Sequence, residues 1–148
     1  MLDGLTWSKI TRPGKTPPPP PRGDSAALGR WGENYASHFL RREGFRILYR
    51  NFRAKGGGEV DLVCRDVAEA TLVFVEVKTR WNEDHGRPFS AVDRTKQDLI
   101  IRGACAWLRL LDNPEIPFRF DVLEILASPQ PLANLIRDAF HLPDNTIY

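Results

Sequence analysis

Four residues give this chain its clearest chemistry: Glu59 and Asp61, two apart, and Glu76 and Lys78, two apart. Each pair lies in a stretch rich in apolar and β-branched residues. Side chains two apart on a strand share a face. Segments 59–65 and 71–79 therefore read as strands, the first presenting Glu59 with Asp61, the second Glu76 with Lys78. The short loop 67–70 makes them an antiparallel hairpin with Asp66 opposite Thr71. That register sets Asp61 opposite Glu76 and Glu59 opposite Lys78, all on one face. A slip of one residue would send the two pairs to opposite faces.

Directly opposed side chains bring their β-carbons to about 4.5–5.5 Å. Two ionised carboxylates at roughly 4 Å repel by about 4 kcal/mol at an effective dielectric of about 20. A raised pKa, Lys78 as counter-ion or a bound cation would each relieve this. An all-oxygen donor set selects a hard ion, Mg²⁺ or Mn²⁺. Such an ion would neutralise charge on a phosphodiester and lower the pKa of a bound water. Lys78 would position that water or stabilise the pentavalent phosphate. The same residues also read as a plain salt-bridge network at the sheet edge. Glu33, at the border of a helix's apolar stripe, and Lys96, at a core-facing helix position, are placed to support the site. An exposed Glu and a snorkelling Lys are the simpler accounts of those two. Asp121, beside Arg119, reads as half of an ion pair.

The elements that must hold these residues follow from periodicity. A helix from the cap Asp24 or Ser25 to Arg42 buries Leu28, Trp31, Tyr35, Phe39 and Leu40, and Gly44 stops it. Residues 46–53 read as a strand with Ile47 and Tyr49 on one side, followed by a flexible turn at Gly56, Gly57 and Gly58. Leu72 to Val75 is continuously apolar, as in a central strand covered on both faces. A second helix spans 91–111, with Val92, Leu99, Ile100, Gly103, Ala106, Trp107 and Leu110 inward. Residues 119–126 form a fourth strand. The expected fold class is α/β, a mixed central sheet flanked by helices. Three regions are expected: a proline-rich basic arm, 1–24; a domain, 25–127; and an extension, 128–148, with a short helix or strand packed on the domain.

The blocks Gly29-Arg30-Trp31-Gly32-Glu33, Gly58-Glu59-Val60-Asp61-Leu62, Phe74-Val75-Glu76-Val77-Lys78-Thr79-Arg80, Lys96 and Arg119-Phe120-Asp121-Val122 resemble the YraN-like family of bacterial proteins. That family is similar to archaeal Holliday-junction resolvases of the PD-(D/E)xK, restriction-endonuclease-like superfamily. The resemblance covers about residues 27–126. It implies a restriction-endonuclease-like fold and places Asp61, Glu76 and Lys78 in the catalytic acid, acid and lysine positions. It also implies Glu33 near the metal with Asp61 and Glu76, and Lys96 as a basic residue contacting the site. Val60 stands where the motif's name has Pro. A junction resolvase makes paired cuts, so the likeness further implies a symmetric homodimer.

Charge supports a nucleic-acid partner, DNA before RNA. Among residues 41–55, Arg41, Arg42, Arg46, Arg50, Arg53 and Lys55 face one acid, Glu43, and Arg80 adds to the stripe. Over the whole chain of 148 residues, 21 Lys and Arg against 19 Asp and Glu leave only +2, so this concentration is local. Cations track a phosphate backbone while acids hold the metal. Solubility is the plainer use of surface Arg. Trp81 and His85 follow the Glu76 strand and could stack on bases, though an ordinary loop explains them. The two cysteines, Cys64 and Cys105, match no zinc spacing and suit a reducing compartment. No apolar run is long enough to span a bilayer, and the expected location is the cytoplasm, with no membrane partner. The run Pro17 to Pro21 reads as a stiff polyproline arm for an aromatic-grooved partner, or as a disordered tail. The leading expectation is a Mg²⁺-dependent endonuclease. Its alternative is a non-catalytic nucleic-acid-binding or scaffold protein that keeps the fold.

Overall fold

The structure is a computed structural model that describes residues 8–9, 17–82, 92–112, 115–144 and 146. Two α-helices flank one mixed sheet. The helices are α1 (Ser25–Arg42) and α2 (Arg94–Arg109); the strands are β1 (Ser8–Lys9), β2 (Phe45–Arg53), β3 (Glu59–Asp66), β4 (Thr71–Arg80), β5 (Phe118–Leu126) and β6 (Leu132–Phe140). The strand order is β1-β6-β5-β4-β3-β2. β2, β3 and β4 form an antiparallel meander, β4 and β5 run parallel, and β6 returns antiparallel to β5. The parallel pair exists because α2 carries the chain back across one face, as a crossover must.

Asp24 starts α1 by accepting the Ala27 N–H at 2.9 Å, and Asp93 starts α2 by accepting the Lys96 N–H at 2.8 Å. α1 buries Trp31, Tyr35, Phe39 and Leu40 against Leu62, Cys64, Val73, Val75, Leu123 and Ile125. α2 lays Ile100, Ala104 and Leu108 on Val60, Phe74, Phe120 and Val122. β4 is therefore covered on both faces, and Leu72 through Glu76 are all buried.

Three expectations change. The inner face of α2 follows Ile100, Ala104 and Leu108, spaced by four, and leaves Leu110 71 % exposed just beyond the helix. β2 does not alternate simply, because a bulge between Ile47 and Tyr49 turns both Leu48 and Tyr49 outward. The extension holds a full strand, β6, one place in from the sheet edge, and β1 pairs with it from the proline-rich segment (Ser8 opposite Ala133). His85 and Ala91, the expected start of the second helix, lie outside the described residues, which omit 83–91. Trp81 packs against the α1-side core, and its carbonyl accepts the Ser128 N–H at 2.8 Å. Among the described residues no helix is long and apolar enough to cross a membrane.

Candidate functional site

The site forms where β3 and β4 part. Asp66 is opposite Thr71, and the ladder runs in that register to Leu62 opposite Val75. Beyond it the strands diverge, and the Asp61 carboxylate takes over a ladder partner: Oδ2 accepts the Val77 N–H at 2.8 Å. Asp61 thereby comes to lie beside the carboxyl of Glu76, the next residue of β4. The splay also changes one pairing. Glu59 lies beyond the last pair of that ladder, so its expected pairing with Lys78 does not form. It turns to Arg53 of β2, at 3.0 Å, and to the Lys96 ammonium of α2.

Lys96 reaches both acids because α2 rides very close to β3. Gly103 and Lys96 are seven apart, two turns along one helix face. A β-carbon at Gly103 would stand 2.9 Å from the Glu59 backbone nitrogen. Gly58 sits at φ +110°, and a β-carbon there would meet the Gly103 nitrogen at 2.5 Å. Only glycine at both positions allows this approach. The Lys96 Nζ then stands 3.6 Å from Glu76 and bonds to Glu59.

Glu76 is the anomalous group. Its side chain is 7 % exposed, and among the described residues Oε2 has no hydrogen-bond donor. Burial first, then the Asp61 charge, push its carboxyl up to about 8, against the smaller pull of Lys96 and Lys78. Glu59 moves the other way: the hydrogen bond from Lys96 holds its carboxyl below the usual range. Lys96 is raised, because its bond to Glu59 and the charges of Glu76, Glu59 and Asp61 outweigh its desolvation. Lys78 lies on the same side of β4 as Glu76 and is half-buried.

Glu33 stands apart from this group. It projects from α1, and its Oε2 accepts from Asn51 Nδ2 at 3.1 Å. Asn51 falls between the pairs Arg50–Leu62 and Phe52–Val60, which places it across β2–β3 from Asp61. It adopts φ 53°, a conformation asparagine tolerates better than most residues, and that is the one signal for it in the sequence. Among the described residues no three His, Cys, Asp or Glu side chains gather closely enough to enclose a cation. Asp61 and Glu76 stand side by side. That fits Mg²⁺, which takes one or two carboxylates and completes its shell with water and phosphate oxygens.

The cations divide. Arg41, Arg42, Arg46, Arg50, Arg53 and Lys55 are all exposed, running from the end of α1 along the edge strand β2 to the β2–β3 turn. Arg50 donates to Asn34 at 2.6 Å. Arg80 is not part of this stripe: its side chain is 17 % exposed and bonds to the fully buried Glu124 of β5. Asp121 does pair with Arg119, at 2.9 Å, and also accepts the Asp138 N–H. Arg119 and Arg137 both reach Asp66, each at 3.0 Å, at the end of β3 away from Asp61.

Comparison with known proteins agrees with this frame. The model of the uncharacterised protein family UPF0102 matches residues 32–125, from α1 to β5. A UPF0102 protein of Pelobacter propionicus is 44 % identical over 121 residues, covering 79 % of this chain and 86 % of that relative. One of Geobacter sulfurreducens is 45 % identical over 117 residues, covering 78 % and 89 %. One of Nocardia farcinica is 42 % identical over 120 residues, covering 80 % and 92 %. The matched span holds Glu33, Asp61, Glu76, Lys78 and Lys96, and on it the chain belongs to the UPF0102 family.

Proposed function

We propose that this protein is a metal-dependent nuclease that binds DNA and hydrolyses its phosphodiester backbone. The observation that carries the reading is the pairing of Asp61 with the buried Glu76, whose Oε2 has no donor. A protein gains nothing in stability by setting a buried carboxyl beside a second, half-buried one, and a divalent ion answers both. Asp61 and Glu76 would hold the ion, through oxygen alone. Bound there, a Mg²⁺ or Mn²⁺ would polarise a phosphodiester and lower the pKa of a coordinated water. Val77 N–H keeps the Asp61 carboxylate aimed at the site. Lys78 offers its ammonium to the water or to negative charge developing on the phosphate. The basic run along β2 would carry the nucleic-acid backbone to this point. Both cysteines are free, which suits action in the reducing cytoplasm.

The Lys96 contacts favour a second reading. With Lys96 bonded to Glu59 and 3.6 Å from Glu76, the cluster holds an internal cation, as a non-catalytic nucleic-acid-binding protein would need. Calorimetric titration of Mn²⁺ into wild type and Glu76→Ala, with cleavage assays on duplex, flap, junction and single-stranded DNA, separates the two. Metal binding abolished in the variant, with metal-dependent product from wild type, supports the nuclease. Salt-sensitive DNA binding without heat from Mn²⁺ and without product refutes it.

A further inference from the structure

An open groove of about 680 Å³ lies between the β2–β3 turn and the outer side of α2. Its walls carry four cations, Arg53 and Lys55 from the turn and Arg102 and Arg109 from the helix, and no acidic side chain. Arg102 and Arg109 are seven apart and so lie on one side of α2. The floor is apolar, with Phe52 and the 71 % exposed Leu110. Phe52 belongs to an aromatic group with Trp107, at 5.3 Å between ring centres, and the half-exposed Tyr49, at 5.8 Å. One wall leads to the acid cluster: Arg53 bonds to Glu59, and Glu59 to Lys96 beside Glu76.

Of the four only Arg53 meets an acid, Glu59; Lys55, Arg102 and Arg109 share one concavity with no carboxylate paired to them among the described residues, so they repel each other, and an anionic ligand accounts for them best. The floor narrows the class. A duplex keeps its bases stacked inside and offers such a groove only sugar and phosphate. An unpaired strand offers phosphates to the cations and base faces to the apolar floor. A second copy of this chain is a poor occupant, because a two-fold contact would press the basic wall against itself. We propose that this groove binds a single-stranded segment of nucleic acid and feeds it toward Asp61 and Glu76. The inference rests on the nuclease reading and deepens it by naming an unpaired strand as the substrate class.

The test is fluorescence anisotropy of labelled oligothymidylate, and of a labelled duplex of equal length, over a salt series in EDTA, where no cleavage occurs. The proteins are the full chain, Arg102→Ala/Arg109→Ala and Leu110→Ser, with circular dichroism confirming that each folds. Wild type is expected to favour the single strand. Removing one cation that neutralises a phosphate lowers the salt slope by about 0.7, so the double variant should show a slope smaller by about 1.4, or about 25-fold weaker affinity at about 0.1 M salt. Leu110→Ser should lower single-strand affinity and leave duplex affinity alone. An unchanged slope in the double variant, or equal losses on duplex and single strand, overturns the proposal. Binding as expected without cleavage in Mg²⁺ leaves the groove standing and removes the hydrolytic reading. Cleavage by the double variant at the wild-type rate, with unchanged affinity, removes the groove alone.

Discussion

Glu76→Gln should make the metal-free protein more stable at alkaline pH while destroying its response to metal. The substitution keeps the shape of the side chain and removes its charge. In the folded chain the Glu76 carboxyl is raised from 4.5 to about 8 by burial and by Asp61. Between those values the folded protein keeps a proton that the unfolded chain has released, so wild-type stability falls as pH rises through that window. At 1.36 kcal/mol per unit the full loss is about 5 kcal/mol. Gln escapes it, and its amide can donate to Asp61. The gain is about 5 kcal/mol near pH 9, or of the order of 10 °C in Tm. It should vanish near pH 4, below both values. Denaturant unfolding from pH 4 to 9 in EDTA reads this directly. Adding Mn²⁺ at about 100 times its Kd should then stabilise wild type by about 2.7 kcal/mol and leave the variant unmoved. A Gln variant less stable than wild type at pH 9, or one with the same pH profile, refutes the account of Glu76 as a carboxyl held against its own charge.

Two pairs of substitutions probe the frame. Arg119→Met removes the ion-pair partner of the fully buried Asp121 and one of the two arginines on Asp66, and should cost about 3–5 kcal/mol in denaturant unfolding. Adding Asp121→Asn should return part of that, because less buried charge is then left unanswered; a single-variant cost under about 1 kcal/mol would contradict the geometry. Gly103→Ala puts a methyl 2.9 Å from the Glu59 backbone and 3.0 Å from Val60 Cγ2. It should cost about 1–3 kcal/mol and weaken Mn²⁺ binding by shifting Lys96, whereas Gly29→Ala, with nothing within 4 Å, should be neutral or stabilising. Thermal melts and Mn²⁺ calorimetry on the three glycine forms check this.

The parts of the fold that could be read from the sequence are those where one local rule acts alone. The four-residue loop after Asp66 sets the β3–β4 register, and the continuous apolar run 72–75 marks β4 as central. β6 could not be told from a helix because its pattern is broken by one bulge. The β5–β6 register shifts between Phe120 and Val122, and Asp138 takes φ 54° so that its N–H can reach the buried Asp121. No period-two reading survives such a bulge. β1 escaped for a different reason: its pairing with β6 is long-range, and the prolines that follow dominate the local signal.

The candidate site divides along the same line. Asp61, Glu76 and Lys78 lie on one hairpin, where spacing and loop length suffice. Glu59 and Lys96 meet through two glycines, Gly58 and Gly103, that have no side chain with which to announce a contact. That contact has a chemical consequence. With α2 fixed against β3 by backbone, the Lys96 stem is anchored and its ammonium is held by Glu59. A divalent ion arriving at Glu76 would supply the charge that Lys96 now supplies from 3.6 Å. The Lys96–Glu59 bond can persist through that exchange, so the two cations need not compete for one carboxylate. Glu59 would then act as a park for Lys96, with no need to hold metal itself. Its depressed carboxyl, ionised across the range in which Glu76 titrates, is what that role requires.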